Sequence, residues 1–175
     1  MTAQPGVTSR ATAEREASGS SRLAQEGIVA GVIGAATIAI WFLLLDTIKG
    51  RPFYTPTVLG SVLFRPGGGV PAPESLPVSF ELVLVYTWVH GLVFCVLGGI
   101  AAWLLAVAER KPDLGFGIVL LFVVFEFGFL VAAMLFAERL LHALAWQEIL
   151  IGNVLAAAAM GYYFWRRHPN LIIRP

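Results

Sequence analysis

Four long apolar stretches alternate with polar segments along the chain. They cover residues 27–48, 80–108, 114–137 and 146–165. A helix needs about 20 apolar residues to cross the hydrocarbon core of a bilayer, and each stretch reaches that length. The pattern therefore predicts an all-α protein, a four-helix transmembrane bundle that occupies residues 26–167.

Two of the polar segments lie at the termini. Residues 1–25 are rich in Ser, Thr, Ala and Gly, carry scattered charges and show no apolar period. This composition predicts a disordered tail, because too little apolar surface is present to form a core. Residues 168–175 form a second, shorter tail after the last stretch.

The segment between the first two stretches, residues 49–79, is too long for a simple connection. It contains Thr55 followed by Pro56, a pair that favours the start of a helix. The apolar positions after this start share one helical face: Val58, Leu59, Val62 and Leu63. We therefore predict a short interfacial helix over 56–64, lying on the outer face of the membrane between the first two spans.

Basic residues give the predicted orientation, because cytoplasmic loops carry an excess of Lys and Arg. Eight lie in the two tails and the turn near residue 110: Arg10, Arg15, Arg22, Arg110, Lys111, Arg166, Arg167 and Arg174. Four lie in the other two connections: Lys49, Arg51, Arg65 and Arg139. Both termini are therefore predicted to be cytoplasmic.

Composition narrows the classes of function. The chain is 58% hydrophobic and 13% charged, which is typical of a membrane protein, and its net charge of +1 gives no indication of nucleic-acid binding. Cys95 is the only cysteine, which excludes an internal disulfide and thiolate-rich metal sites. No cofactor is expected. The expected partners are the lipid bilayer and either another membrane protein or a second copy of the chain.

Small residues recur at helical spacing within three of the stretches. The rows are Gly27, Gly31 and Ala35; Gly91, Cys95, Gly98 and Ala102; and Gly152, Ala156 and Ala159. Such rows let helix backbones approach closely in lipid. We interpret them as packing surfaces within the bundle rather than as a dimer interface.

Ionisable groups inside predicted spans are costly and are functional candidates by default. Glu126 lies near the middle of the third stretch, at about the depth of Asn153 when both are counted along helices of 1.5 Å rise. Two interpretations stay open. A protonated Glu126 could pin helices together through a hydrogen bond, or it could carry protons or bind a solute.

A second polar set is predicted nearer the outer face. Asp46, His90 and Glu148 fall at similar depth, and Arg51 follows in the loop. This set could form the mouth of a proton or solute path. Alternatively, two histidines and two carboxylates could bind a metal: His90, Glu138, His142 and Asp46. No HExxH motif supports the metal site. On an ideal helix Glu148 and Asn153 point about 140° apart, so one straight helical face cannot present both side chains to the same pore.

The runs "WFLLLDTIKGRPFYTPTVLG" and "YTWVHGLVFCVLGG", with "HP" after the last stretch, resemble a family of uncharacterised small bacterial four-helix membrane proteins. The shared pattern is a first helix ending in Asp, then a GRP…TP…LG segment. The resemblance covers most of residues 27–169. It implies a four-span bacterial membrane protein and directs attention to six residues: Asp46, Arg51, Pro52, Thr55, Pro56 and His90.

The absence of a catalytic motif and the small size favour a non-enzymatic accessory or scaffold subunit of the inner membrane. The first alternative is a proton- or solute-handling protein that uses Glu126 and the outer polar set. The second is a metal-dependent membrane enzyme that uses His90, Glu138 and His142.

Overall fold

The computed structural model describes residues 5–64, 77–111, 115 and 146–169, with side chains from Gly19 onward. This part of the chain forms four α-helices and no strand. The helices are α1 (Pro5–Ile48), α2 (Tyr54–Phe64), α3 (Phe80–Arg110) and α4 (Trp146–Arg167). The all-α prediction is confirmed for these residues. The predicted third span, apart from Gly115, lies outside them.

The first helix is longer than the sequence pattern predicts. It begins at Pro5, whereas a disordered tail was predicted up to residue 25. Proline is favoured in the first turn of a helix, and the following Ala, Glu, Arg and Gln residues have high helix propensity. The predicted disorder followed from the lack of an apolar face. Helix propensity alone is enough to give a helical backbone here.

Two described helices are long and apolar enough to cross a membrane, judged by length and composition: the part of α1 from Gly19 to Ile48, and α3. The predicted fourth span, α4, does not reach the same hydropathy. Its first turns carry Gln147, Glu148 and Asn153, which lower the average.

The closest helix contact joins α1 to α3. A Cβ built on Gly98 would lie 2.7 Å from the backbone nitrogen of Gly31 and against the carbonyl oxygen of Gly27. A Cβ on Gly31 would in turn lie 2.7 Å from the nitrogen of Cys95. Glycine is therefore required at this crossing, because any larger side chain would clash with the backbone of the other helix. The predicted small-residue rows thus pack within one chain.

Helix α4 packs along another side of α1 and runs antiparallel to it. Ile38 and Phe42 of α1 form a cluster with Ala156 of α4. Nearer the start of α1, Ala30 packs with Ala102 of α3 and Phe164 of α4. Three helices thus meet at alanine, isoleucine and phenylalanine side chains, and their polar ends are brought together at each end of the group.

Helix α2 confirms the short helix predicted between the first two spans, but a different face is buried. Among the predicted stripe only Val58 is fully enclosed, while Val62 and Leu63 are 41% and 55% exposed. The buried face carries small and hydroxyl residues, including Thr55, Thr57, Gly60 and Ser61. A Cβ on Gly60 would lie 2.9 Å from the Leu82 carbonyl oxygen, so close approach to α3 determines this face.

Candidate functional site

Asp46 is buried at the end of α1, with 3% of its surface exposed. Its two carboxylate oxygens accept hydrogen bonds from Thr55, one from the backbone nitrogen and one from the hydroxyl, both at 2.7 Å. Thr55 lies in the first turn of α2, where backbone N–H groups have no partner within the helix. The carboxylate therefore caps α2, and its negative charge is favourable at this positive end of the helix.

The connection between α1 and α2 turns sharply to bring Thr55 back to Asp46. Gly50 and Phe53 both have positive φ, at 73° and 64°. The backbone nitrogen of Arg51 also donates to the Asp46 carbonyl oxygen at 2.8 Å. Positive φ is uncommon for a phenylalanine, so the surrounding contacts must hold this turn in place. One of them joins the rings of Phe53 and Phe80, 6.0 Å apart.

Arg51 extends over the ring of Tyr54, with its guanidinium carbon 4.3 Å from the ring centroid. This distance is within the range of a cation–π interaction. The predicted binding candidate thus lies against the first residue of α2, beside the Asp46 cap.

Glu148 joins the start of α4 to the end of α1. Its carboxylate accepts from the Lys49 ammonium at 2.6 and 2.7 Å, and its backbone carbonyl accepts from the Trp41 indole at 2.9 Å. Asp46 and Glu148 therefore lie at the same end of the helices, as the sequence predicted. Each of these carboxylates, however, already has partners from the chain itself.

His90 lies elsewhere, between α1 and α3. Its imidazole stacks with the ring of Tyr86 at a centroid distance of 5.6 Å, and the tilted ring of Phe94 lies 4.7 Å away. The backbone carbonyl of Ala35 lies beside the ring. Ala35 precedes Asp46 by 11 positions on α1, which corresponds to about 16 Å of helix. His90 and Asp46 therefore do not converge.

The reason for this difference is the register between α1 and α3. The predicted depths were counted from the cytoplasmic ends of the two stretches, which would place Gly27 near Ala108. The structure places Gly27 beside Gly98 and Gly99 instead. The glycine contacts fix the register, and they shift His90 toward the middle of α1.

One nitrogen of His90 has no hydrogen-bond partner among the described residues. This nitrogen is Nε2, which is enclosed, with less than 1 Å² of accessible surface. An unpaired buried polar atom costs about 1–3 kcal/mol, which makes this position unusual in a bundle.

The remaining predicted residues divide into two groups. Asn153 lies on α4 next to Gly152, whose position faces Ile38 and Trp41 of α1, about one turn from the predicted level of Thr37. Glu126, Glu138 and His142 lie outside the described residues. Within the described ranges, no group of three or more His, Cys, Asp or Glu side chains is placed to hold a metal ion.

A further polar cluster was missed as a candidate site. His168, just after α4, contacts Glu109 of α3 through Nδ1 at 2.6 Å and Glu26 of α1 through Nε2 at 3.2 Å. The only signal in the sequence was the "HP" pair after the last apolar stretch, which carried no indication of its partners.

Comparison of the chain with models of protein families, with curated proteins and with solved structures finds no match.

Proposed function

We propose that this chain is an integral protein of the bacterial inner membrane and serves there as a non-enzymatic accessory or scaffold subunit. The observation that carries this proposal is the distribution of apolar side chains. Large ones are exposed along the outward faces of α1 and α3, among them Val32 (55%), Ile40 (59%), Leu84 (64%), Trp88 (71%) and Val96 (63%). Such continuous apolar faces suit lipid or a membrane partner.

The charged residues support a membrane-spanning arrangement. Glu26, Glu109 and His168 meet at one end of the helices, and Lys49 and Glu148 pair at the other. Between these ends, the apolar part of α1 spans a distance suited to a bilayer core. Arg110, Lys111, Arg166 and Arg167 extend from the first end, which makes this end the cytoplasmic one in our proposal.

The hydrogen-bond partners of the two outer carboxylates favour a scaffold function and disfavour a proton or solute path through the outer polar set. Asp46 is bound by Thr55, and Glu148 is bound by Lys49. A carboxylate that relays protons must exchange partners, whereas these two hold together the ends of three helices. They therefore serve to fix the outer end of the protein, where α2 offers the exposed side chains of Val62 and Leu63.

The experiment is native purification in a mild detergent, followed by mass measurement of the intact complex. A scaffold or accessory subunit should be recovered at fixed stoichiometry with another membrane protein or with a second copy of itself. Recovery as a monomer that carries proton or solute flux in vesicles would contradict the proposal.

Two matched variants locate the partner surface. Val96→Trp enlarges the exposed face of α3, and Ile40→Trp enlarges that of α1. Lipid accommodates either change, whereas a packed interface does not. We expect one of the two variants to release the partner and the other to retain it. If both retain it, these faces are lipid-facing and the complex forms elsewhere.

A further inference from the structure

The exposed basic residues at the proposed cytoplasmic end of the helices lie around one point. His168 contacts Glu109 at 2.6 Å and Glu26 at 3.2 Å, which brings together the ends of α1, α3 and α4. Five exposed cations lie within four positions of one of these three residues, and we call them the basic collar: Arg22, Arg110, Lys111, Arg166 and Arg167. The collar therefore draws its charge from three helices.

The carboxylates of this end offset the collar only in part. Glu26 and Glu109 both contact His168, and no ion pair among the described residues joins either of them to a collar cation. At the opposite end the described carboxylates outnumber the cations, with Asp46, Glu81 and Glu148 against Lys49 and Arg51. Positive potential is therefore concentrated at one end of the protein, and it attracts anions to that end.

Two collar arginines are directed back along α4 toward its apolar turns. The guanidinium carbon of Arg166 lies 5.9 Å from the ring centroid of Tyr162, one helical turn earlier. Arg167 has the same relation to Tyr163, at 5.7 Å. The ring of Trp165, which is 68% exposed, lies 6.1 Å from that of Tyr162. Because Tyr and Trp side chains settle at the headgroup level of a bilayer, both guanidinium groups would lie at this level in a membrane.

An anionic lipid fits this surface better than a soluble polyanion. Exposed apolar side chains reach the collar along α3 and α4, including Trp103 and Trp165 at 57% and 68% exposure. A lipid covers such side chains with its acyl chains while its phosphate faces the arginines. A nucleic acid or an acidic peptide would leave the same side chains in water.

We propose that the basic collar binds the headgroups of anionic phospholipids, and that Arg166 and Arg167 donate to the phosphate oxygens. A guanidinium presents its N–H donors in a planar fork, which matches two oxygens of one phosphate. Clusters of Lys and Arg at the cytoplasmic ends of membrane helices bind anionic lipid in this way. The proposal rests on the proposed function in one respect, because the collar must lie at a membrane surface.

The test is native mass spectrometry of the full chain in neutral detergent micelles that contain two lipids in equal amounts. Phosphatidylglycerol carries a net negative charge, and phosphatidylcholine is zwitterionic. Each Lys or Arg near an anionic surface strengthens binding by about fivefold, so we expect phosphatidylglycerol to be retained in at least about tenfold excess.

Three double variants assign this preference to the collar. Arg166→Gln/Arg167→Gln should lower the excess to about twofold. The matched control, Lys49→Gln/Arg51→Gln, removes the same charge at the opposite end and should keep the full excess. Arg166→Lys/Arg167→Lys keeps the charge without the planar fork and should give an intermediate excess. Equal retention of the two lipids by the unmodified chain, or an excess that survives Arg166→Gln/Arg167→Gln, would overturn the proposal.

Glycerophosphoglycerol, the same headgroup without acyl chains, separates a lipid site from a site for a soluble phosphate. Added in excess, it should leave the phosphatidylglycerol bound, and displacement would overturn the choice of a lipid.

Failure of this inference and failure of the proposed function give different results. A chain that is recovered with a fixed partner but retains both lipids equally would refute this inference alone. A chain that prefers phosphatidylglycerol but is a monomer that carries flux in vesicles would refute the scaffold role alone.

Discussion

Replacing Asp46 by alanine should release α2 from the end of α1. The substitution removes two charge-assisted hydrogen bonds of 2.7 Å and leaves the Thr55 N–H and hydroxyl buried without acceptors. Each bond of this kind contributes about 1.5 kcal/mol or more. The loss of a helix cap alone costs about 0.5–2 kcal/mol. We therefore expect Asp46→Ala to lower the free energy of unfolding by about 3 kcal/mol.

Two further variants divide this effect. Asp46→Asn keeps one acceptor for the Thr55 nitrogen and can donate to its hydroxyl, so a loss of about 1 kcal/mol is expected from the missing charge. Thr55→Val keeps the backbone bond and should cost about 1.5 kcal/mol. The double variant Asp46→Ala/Thr55→Val should cost about 1.5 kcal/mol less than the sum of its parts, because the two residues share one interaction.

The assay is reversible unfolding in mixed micelles, followed by circular dichroism, together with hydrogen exchange at the amides of α2. Thr47→Val is the matched control, because Thr47 is exposed and its hydroxyl only donates to Leu43 of the same helix. It should change stability by less than about 0.5 kcal/mol. If Asp46→Ala is equally mild and α2 exchanges no faster, packing against α3 holds α2 without the carboxylate, and the reasoning is wrong.

Three other contacts give predictions for the same unfolding assay. Gly98→Ala should destabilise by about 2 kcal/mol or more, since its Cβ meets the backbone of α1, whereas Gly99→Ala points into open space and should be neutral; equal effects would refute the crossing geometry. A double-mutant cycle on Lys49 and Glu148 should give a coupling of at most about 1 kcal/mol, because the lysine is 46% exposed; a larger value would mean that water is excluded from the pair. His168→Gln should cost about 1 kcal/mol, and an unchanged stability would show that its two carboxylate contacts contribute nothing.

The helices and their contact surfaces could be predicted from the sequence to a useful extent. The lengths of the apolar stretches predicted α3 and the apolar part of α1. The spacing of Gly27, Gly31 and Gly98 predicted the surface where these two helices meet. Both features depend on local pattern alone. The helical backbone before residue 25 was missed, because a helix without an apolar face leaves no periodic signal.

The polar positions could be recognised, but their partners could not. Asp46 was identified as costly in a membrane, yet the cap depends on a turn through Gly50 and Phe53 whose positive φ angles no pattern specifies. The level of His90 depends on the glycine register between α1 and α3, which a count from helix ends does not contain. Long-range register is a property of packing, and it decides which side chains form a site.

The central claim, that α3 crosses a membrane and that the C-terminal ends of α3 and α4 lie on the same side of it, is tested most directly by cysteine labelling. Cys95, the only cysteine, is first replaced by alanine, and single cysteines are introduced by Val78→Cys, Lys111→Cys and Pro169→Cys. A membrane-impermeant maleimide is then applied to spheroplasts and to inverted vesicles. The account predicts labelling of V78C only in spheroplasts and of K111C and P169C only in inverted vesicles. Labelling of all three from the same side would contradict it.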